Sequence, residues 1–414
     1  MKHLIIKNLG PINAIEMEMK RVNLIIGPQS SGKSSVLKVA CYCTWVEKRI
    51  SVEQNPDKFA EPGYFERYLV SFHKLEGFVR QDTYIEYESD IMKFSFSKEG
   101  EAFRFEWKNR WDYRKSKISY IPAERNIVAA IPNWFEVNMA NNNIRNFMAD
   151  WELARKNFTD SDRLDILNLG VSYFYDTKSK EDKMQVAQGK FLNFTNTSSG
   201  LQSLVPLYVF LKYFTERFFL KEEEEGNVIG EEIKKHLAEV ISSEVFSKDE
   251  IKLRPYPTSP HILRTYKSED VADRYFALFS NFTKVNNCNI FLEEPEENLF
   301  PLTQRDLVNA LVEMINGERK HNLFITTHSP YVMASFNNLI QAGDVLDEDR
   351  TKQEKLARIM PLSLVLNYED VGAYAIKDGN LHTMMDDEMK LISPTELDAV
   401  SDEISIQFGK LLEL

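Results

Sequence analysis

The run G-P-Q-S-S-G-K-S-S, Gly27 to Ser35, decides how this chain is read. It matches G-x-x-x-x-G-K-[ST] in the context that gives the pattern physical meaning, between an apolar segment (Val22 to Ile26) and a helical pattern opening at Ser34. Gly27 and Gly32 let the backbone curl with its N–H groups inward, and the following helix adds the positive end of its dipole. Gly27, Pro28, Gln29, Ser30, Ser31, Gly32, Lys33, Ser34 and Ser35 therefore form a candidate polyphosphate cradle. Lys33 is placed to reach the outer phosphates. Ser34 offers its hydroxyl to Mg²⁺, which prefers oxygen ligands and takes few of them from protein. Glycine is sparse, 16 of 414 residues, so a chance turn of this form is rare.

Outward from the loop, Leu4 to Ile6 and Ala14 to Met19 read as strands joined by a Gly10-Pro11 turn. The helix after the loop should run from Ser34 to about Arg49, with Val36, Val39, Ala40, Cys43 and Val46 on one face. Thr83 to Tyr87, Lys93 to Ser97 and Ala102 to Trp107 alternate like an antiparallel meander, and Ser119 to Ile121 is one more strand. Residues 132 to 169 read as helical, followed by weak β signals at Val171 to Tyr175 and Lys190 to Phe194. Further on, strands at Asn289 to Leu292 and Leu323 to Thr327 alternate with helices at Ser268 to Lys284 and from Pro301. That alternation predicts an α/β fold with a mixed, mostly parallel core sheet, an antiparallel β subdomain and an inserted helical lobe. The expected segments are 1–131 and 199–340 for the two core lobes, 132–198 for the insertion and 341–414 for a C-terminal extension. A strand pair near Tyr374 to Ile376 and Leu381 to Met384 has no role legible in sequence.

N-I-F-L-E-E-P-E-E-N-L-F-P, residues 289 to 301, puts two carboxylates at the carboxyl end of a buried strand, the edge where parallel sheets bind ligands. Glu293 is placed to assist Mg²⁺, directly or through water, and Glu294 to polarise an attacking water as general base. His328 follows a second buried strand and should face the same edge. The turn N-T-S-S-G-L-Q, with Ser198, Ser199, Gly200 and Gln202, is a second anion-binding arrangement opening a helix. One chain has little use for two cradles around one nucleotide. A two-fold homodimer, each turn closing over its partner's nucleotide, resolves the excess.

The net charge of -12 and sequence pI near 5.3 argue against coating of nucleic acid by the whole surface. A local contact at K-N-R-W-D-Y-R-K-S-K (108 to 117), where cations and aromatics mix, stays open. Cys41, Cys43 and Cys288 fit neither a disulfide framework nor a zinc site and read as reduced core residues. The N-terminus lacks signal-peptide features and no apolar run reaches spanning length, so the expected setting is cytoplasmic, without membrane contact.

Taken as a set, L-I-I-K-N-L-G-P-I, G-P-Q-S-S-G-K-S-S, S-S-G-L-Q-S, F-L-E-E-P-E-E-N-L-F-P and T-T-H-S-P resemble the stand-alone AAA-type ATP-binding proteins related to the SMC, RecF and OLD group of ABC ATPases. The resemblance spans roughly residues 1 to 340. It implies an ABC-type P-loop head using ATP and Mg²⁺ in a sandwich dimer. Gly27 to Ser35 would be Walker A, Ser198 to Gln202 the signature acting in trans, Glu293 and Glu294 the Walker B acid and base, Glu296 to Leu299 the D-loop stretch and His328 the switch histidine. It also implies a separate effector partner, a nuclease or toxin, in bacterial anti-phage defence, or a RecF-like role on DNA. The chain departs from the pattern in three places: its signature is Ser-Ser-Gly-Leu-Gln, Glu293 stands where aspartate is commoner, and Pro122-Ala123-Glu124-Arg125 replaces a usual glutamine. At that junction Arg125 becomes a candidate phosphate contact.

Overall fold

The computed structural model describes residues 2–186, 189–220, 230–255, 262–393 and 395–412; the acidic run expected as a solvated loop, Lys221 to Gly226, lies outside them. Alternating apolar residues form β1 (Lys2–Leu9) and β2 (Ile12–Met19), and β3 (Val22–Ile26) is buried at all five positions. The phosphate-loop sequence then leads into α1 (Lys33–Glu53), followed by α2 (Asp57–Ala60) and α3 (Tyr64–His73). The meander is β4 (Val79–Glu88), β5 (Met92–Ser97) and β6 (Ala102–Trp107), and β7 (Ser116–Ile121) follows it. It is continuous with the core, because β4 pairs antiparallel with β1.

α4 (Ile127–Ala130) precedes the stretch 132 to 169 expected as helical, which holds α5 (Asn143–Arg155), capped by the Asn142 side chain; a four-stranded sheet follows that takes in the weak β signals at 171–175 and 190–194. Its strands are β8 (Leu164–Asp165), β9 (Ser172–Asp176), β10 (Glu181–Val186) and β11 (Lys190–Asn193). The insertion is thus half β. β10, E-D-K-M-Q-V, is too polar to read as a strand alone, and its pairing with β9 and β11 supplies what propensity lacks.

Ser198 then caps α6 (Ser199–Lys212). α7 (Glu231–Glu244), a hairpin of β12 (Ile251–Pro255) and β13 (Ile262–Tyr266), and α8 (Glu269–Thr283) lead to β14 (Asn287–Glu293). α9 (Pro301–Ile315), β15 (Asn322–Thr326) and α10 (Pro330–Glu348) complete the expected alternation. The late strand pair is β16 (Val371–Lys377) and β17 (Asn380–Thr383).

Eleven strands form one sheet in the order β6-β5-β4-β1-β2-β17-β16-β3-β15-β14-β7. From β16 to β7 every neighbouring pair is parallel; from β2 to β6 every pair is antiparallel. β16 lies beside β3, with Ala375 opposite Ile26, so the C-terminal segment supplies a central strand next to the phosphate loop. Alternation along the strands sorts two cores: Leu24, Leu292 and Ile325 face α5, α6, α9 and α10, while Ile25, Phe291 and Phe324 face α1 and α3. No described helix is long and apolar enough to cross a membrane.

Candidate functional site

The carboxyl ends of β3, β14 and β15 share one edge of the parallel block. The loop after β3 is held in shape by close packing: a Cβ on Gly27 would stand 2.7 Å from the Ile376 carbonyl oxygen of β16 and 2.8 Å from Ser31 Oγ. Gly27 and Gly32 have φ of 153° and 104°, a region other residues rarely adopt. Gly32 is also the N-cap of α1 and makes no side-chain cap, so the first N–H groups of a 21-residue helix point into the loop unclaimed by a capping side chain. Lys33 is buried, and its ammonium donates to the carbonyls of Gly27 (3.0 Å) and Pro28 (2.8 Å). Burial pushes that ammonium below the ordinary lysine value, and Glu294 and Glu296 partly offset the effect.

A cleft of about 390 Å³ gathers Gln29, Ser30, Gly32, Lys33, Ser34 and Ser35 with Glu294 and His328. Glu294 has a left-handed φ of 41°, a strained turn for glutamate, and its N–H donates to the Thr326 carbonyl (2.9 Å). Its Oε1 lies 3.1 Å from His328 Nε2. Glu296 positions the histidine: its Oε1 accepts from Thr327 Oγ1 (2.8 Å) and from the His328 N–H (2.6 Å).

Glu293 points elsewhere. It is buried, with Oε1 accepting from Tyr120 Oη (2.6 Å) and Oε2 from the Ala123 N–H (3.1 Å), and it does not line the cleft. The Tyr120 hydroxyl is held far above its ordinary value by burial and by that carboxylate.

Arg125 is fully buried, and its guanidinium donates to the carbonyls of Ser203 (3.0 Å), Glu293 (2.9 Å) and Glu294 (2.9 Å), with Glu297 at 3.9 Å. These contacts tie α6 to the end of β14, and Arg125 does not line the cleft. Burial raises the Glu297 carboxyl above its ordinary value, countered by Arg125.

Ser198, Ser199, Gly200 and Gln202 do not line the cleft. Ser198 Oγ accepts from the Leu201 N–H, and Gln202 Nε2 donates to the carbonyls of Thr195 (2.9 Å) and Thr197 (3.0 Å), which fixes the turn with both serines exposed. The turn packs on the Glu296 to Leu299 stretch: Asn298 Nδ2 donates to Ser203 Oγ (3.0 Å), and a Cβ on Gly200 would lie 3.0 Å from the Asn298 carbonyl oxygen.

Sequence reading missed three participants. Pro11 and Phe78 wall the cleft, though Pro11 reads only as a turn residue and Phe78 falls in a stretch without clear periodicity. Tyr120, which holds Glu293, is an ordinary strand aromatic until the fold pairs β7 with β14.

The mixed basic and aromatic run is largely spent inside the molecule. Lys108 pairs with Glu88, Arg110 with Glu244 (2.8 Å), and Lys117 with Asp150 (2.7 Å). Lys115 is buried and donates to the Thr283 carbonyl (2.8 Å). All three cysteines are buried thiols outside any disulfide, and Cys288 Sγ donates to the Phe214 carbonyl (3.1 Å).

Ser31 Oγ, Thr326 Oγ1, Glu296 Oε2 and Glu297 Oε2, all in the elements bordering the cleft, are buried without hydrogen-bond partners. Among the described residues no group of three His, Cys, Asp or Glu side chains could hold a metal ion. A divalent cation here would therefore depend on oxygens brought by a ligand. The donor set fits that case: Ser34 faces the cleft, and the carboxylates of Glu294 and Glu296 beside Lys33 would repel a bare polyphosphate.

No protein-family model matches the chain, and no curated protein matches it. Solved structures similar to it include the SMC head domain from Thermotoga maritima, at 10% identity, covering 92% of this chain and 97% of that one with a TM-score of 0.38. The recombination mediator protein RecF matches at 10% identity, with 92% and 98% covered and a TM-score of 0.29. A dimeric post-hydrolysis ATP-binding cassette bound to ADP and Pi matches at 11% identity, with 92% and 98% covered and a TM-score of 0.26. Likenesses this distant say nothing of chemistry.

Proposed function

We propose that this chain is an ATP-hydrolysing head that pairs with a second copy around nucleotide and works as a nucleotide-dependent switch on a separate effector, such as a nuclease or toxin, in bacterial anti-phage defence. The observation that carries the reading is the cleft itself. It joins the Gln29 to Ser35 loop to Glu294 and His328, while the Ser198 to Gln202 turn of the same chain stays outside it.

In this reading the loop N–H groups and the α1 terminus hold the phosphates. Lys33 exchanges its two loop carbonyls for phosphate oxygens, which suits a cation already stripped of water. Ser34 would offer its hydroxyl to Mg²⁺, which would neutralise charge on the transferring phosphoryl group, while Glu293, held by Tyr120 and the Ala123 N–H, would reach the ion only by giving up those partners. Glu294 accepts a proton from the attacking water, and His328 fixes the carboxylate's orientation. The exposed Ser198 to Gln202 turn of the second copy supplies the missing donors. The pairing of Lys108, Arg110 and Lys117 within the chain, which leaves Arg114 as the exposed cation of this run outside those pairs, favours an effector protein over nucleic acid as the partner that reads the switch.

Phosphate release from the purified chain with Mg-ATP tests this. Glu294→Gln should reduce turnover by about 100-fold or more while leaving nucleotide binding intact. Equal turnover in both proteins would remove Glu294 from the chemistry.

A further inference from the structure

A second cavity, of about 380 Å³, lies beside β7, the edge strand of the sheet, where α1 and α3 face it and the start of α5. It shares no residue with the nucleotide cleft. Its size is that of a small-molecule site. Tyr42, Trp45 and Tyr68 form one wall as near-parallel rings, with centroids 5.7 and 5.9 Å apart and interplanar angles of 24° and 19°. Phe72 and Tyr120 add to the aromatic lining.

Polar groups of definite kind interrupt the rings. Asn141, just before α5, and Asn146, in its first turn, are exposed and line the cavity, as do Lys48 and Lys117, the latter paired with Asp150. His73 also lines the cavity; it is buried, burial holds its imidazole neutral with a pKa down to about 3, and its Nδ1 has no hydrogen-bond partner. A mere packing fault in an apolar core would not collect amides, a cation and an unsatisfied imidazole.

We propose that this cavity is a regulatory site for a small planar heteroaromatic molecule of the nucleobase or indole class, stacked on the α1 and α3 rings and read by Asn141 and Asn146. Tyr120 links it to the nucleotide cleft's neighbour: its ring lines the cavity and its hydroxyl donates to Glu293. An occupant pressing on Tyr120 therefore changes the hold on Glu293 and the rate of hydrolysis. That coupling rests on the function proposed above; the binding does not.

The two parts separate experimentally. Calorimetry and tryptophan emission on the full chain carrying Lys33→Ala, with adenosine monophosphate, guanosine monophosphate and indole-3-acetate as probes, report the cavity independently of the phosphate loop. At least one probe should bind, and Tyr68→Ala or Asn146→Ala, both exposed positions, should weaken it by about tenfold. Silence from all three probes at millimolar concentration, or affinities untouched by both substitutions, overturns the site. On the unsubstituted chain the bound probe should change ATP turnover about twofold or more; an unchanged turnover overturns the coupling. A chain that binds the probe but never hydrolyses ATP counts against the nucleotide reading and leaves the cavity standing.

Discussion

Arg125 shows how much one side chain holds at this site. With the guanidinium gone, the carbonyls of Ser203, Glu293 and Glu294 lose their donors inside the protein, and the strained turn at Glu294 loses its brace. Arg125→Met should destabilise the fold by about 3 kcal/mol or more, seen as a lowered midpoint in chemical denaturation. His73 sets a pH limit on the same scale. Its folded pKa of about 3 lies below the unfolded value near 6.5, so the unfolded chain binds the extra proton between them. The contribution is fully present above about pH 6.5 and is lost as pH falls below it, roughly 2 kcal/mol by pH 5. His73→Phe should flatten that part of a stability-versus-pH profile, and an unaltered slope would assign it to other groups.

Among the elements, β16 carries the largest structural consequence. V-G-A-Y-A-I-K is buried at its first six positions, between β3 and β17, and Ile376 packs directly on Gly27. The connection that brings the chain to β16 passes over α10 at Gly343, where a Cβ would lie 2.0 Å from the Leu366 carbonyl oxygen. Gly343→Ala should cost about 2 kcal/mol and weaken nucleotide binding with it, checked by thermal melting with and without ATP.

The strands flanking the loop were legible because burial on both faces leaves an unbroken apolar run, as in β3, and because Pro301 and Ser329-Pro330 mark helix starts chemically. The placement of β16 was not legible, since small residues in a short run do not say which neighbour they will pair with. Cleft-lining residues were legible where a local motif marks them, as at Lys33 and Glu294. Phe78, Tyr120 and the brace made by Arg125 depend on contacts from elsewhere in the chain, and no local pattern announces them.

For the whole molecule, the geometry leaves a division of labour. The cleft holds the loop, Glu294 and His328; the exposed serines of the Ser198 to Gln202 turn lie outside it, on a helix end braced against Asn298. Exposed Phe300, Leu302 and Tyr331, near the starts of α9 and α10, add apolar surface beside this region. Both features are accounted for if a second copy covers them when nucleotide is bound. The most direct test is the solution mass of the Glu294→Gln chain with and without Mg-ATP. A shift from the 48.2 kDa monomer to twice that mass, seen only with nucleotide and abolished by Gly200→Asp, is the expected result. A protein that binds ATP and stays monomeric at every concentration, or a dimer indifferent to both nucleotide and Gly200→Asp, would contradict the composite site.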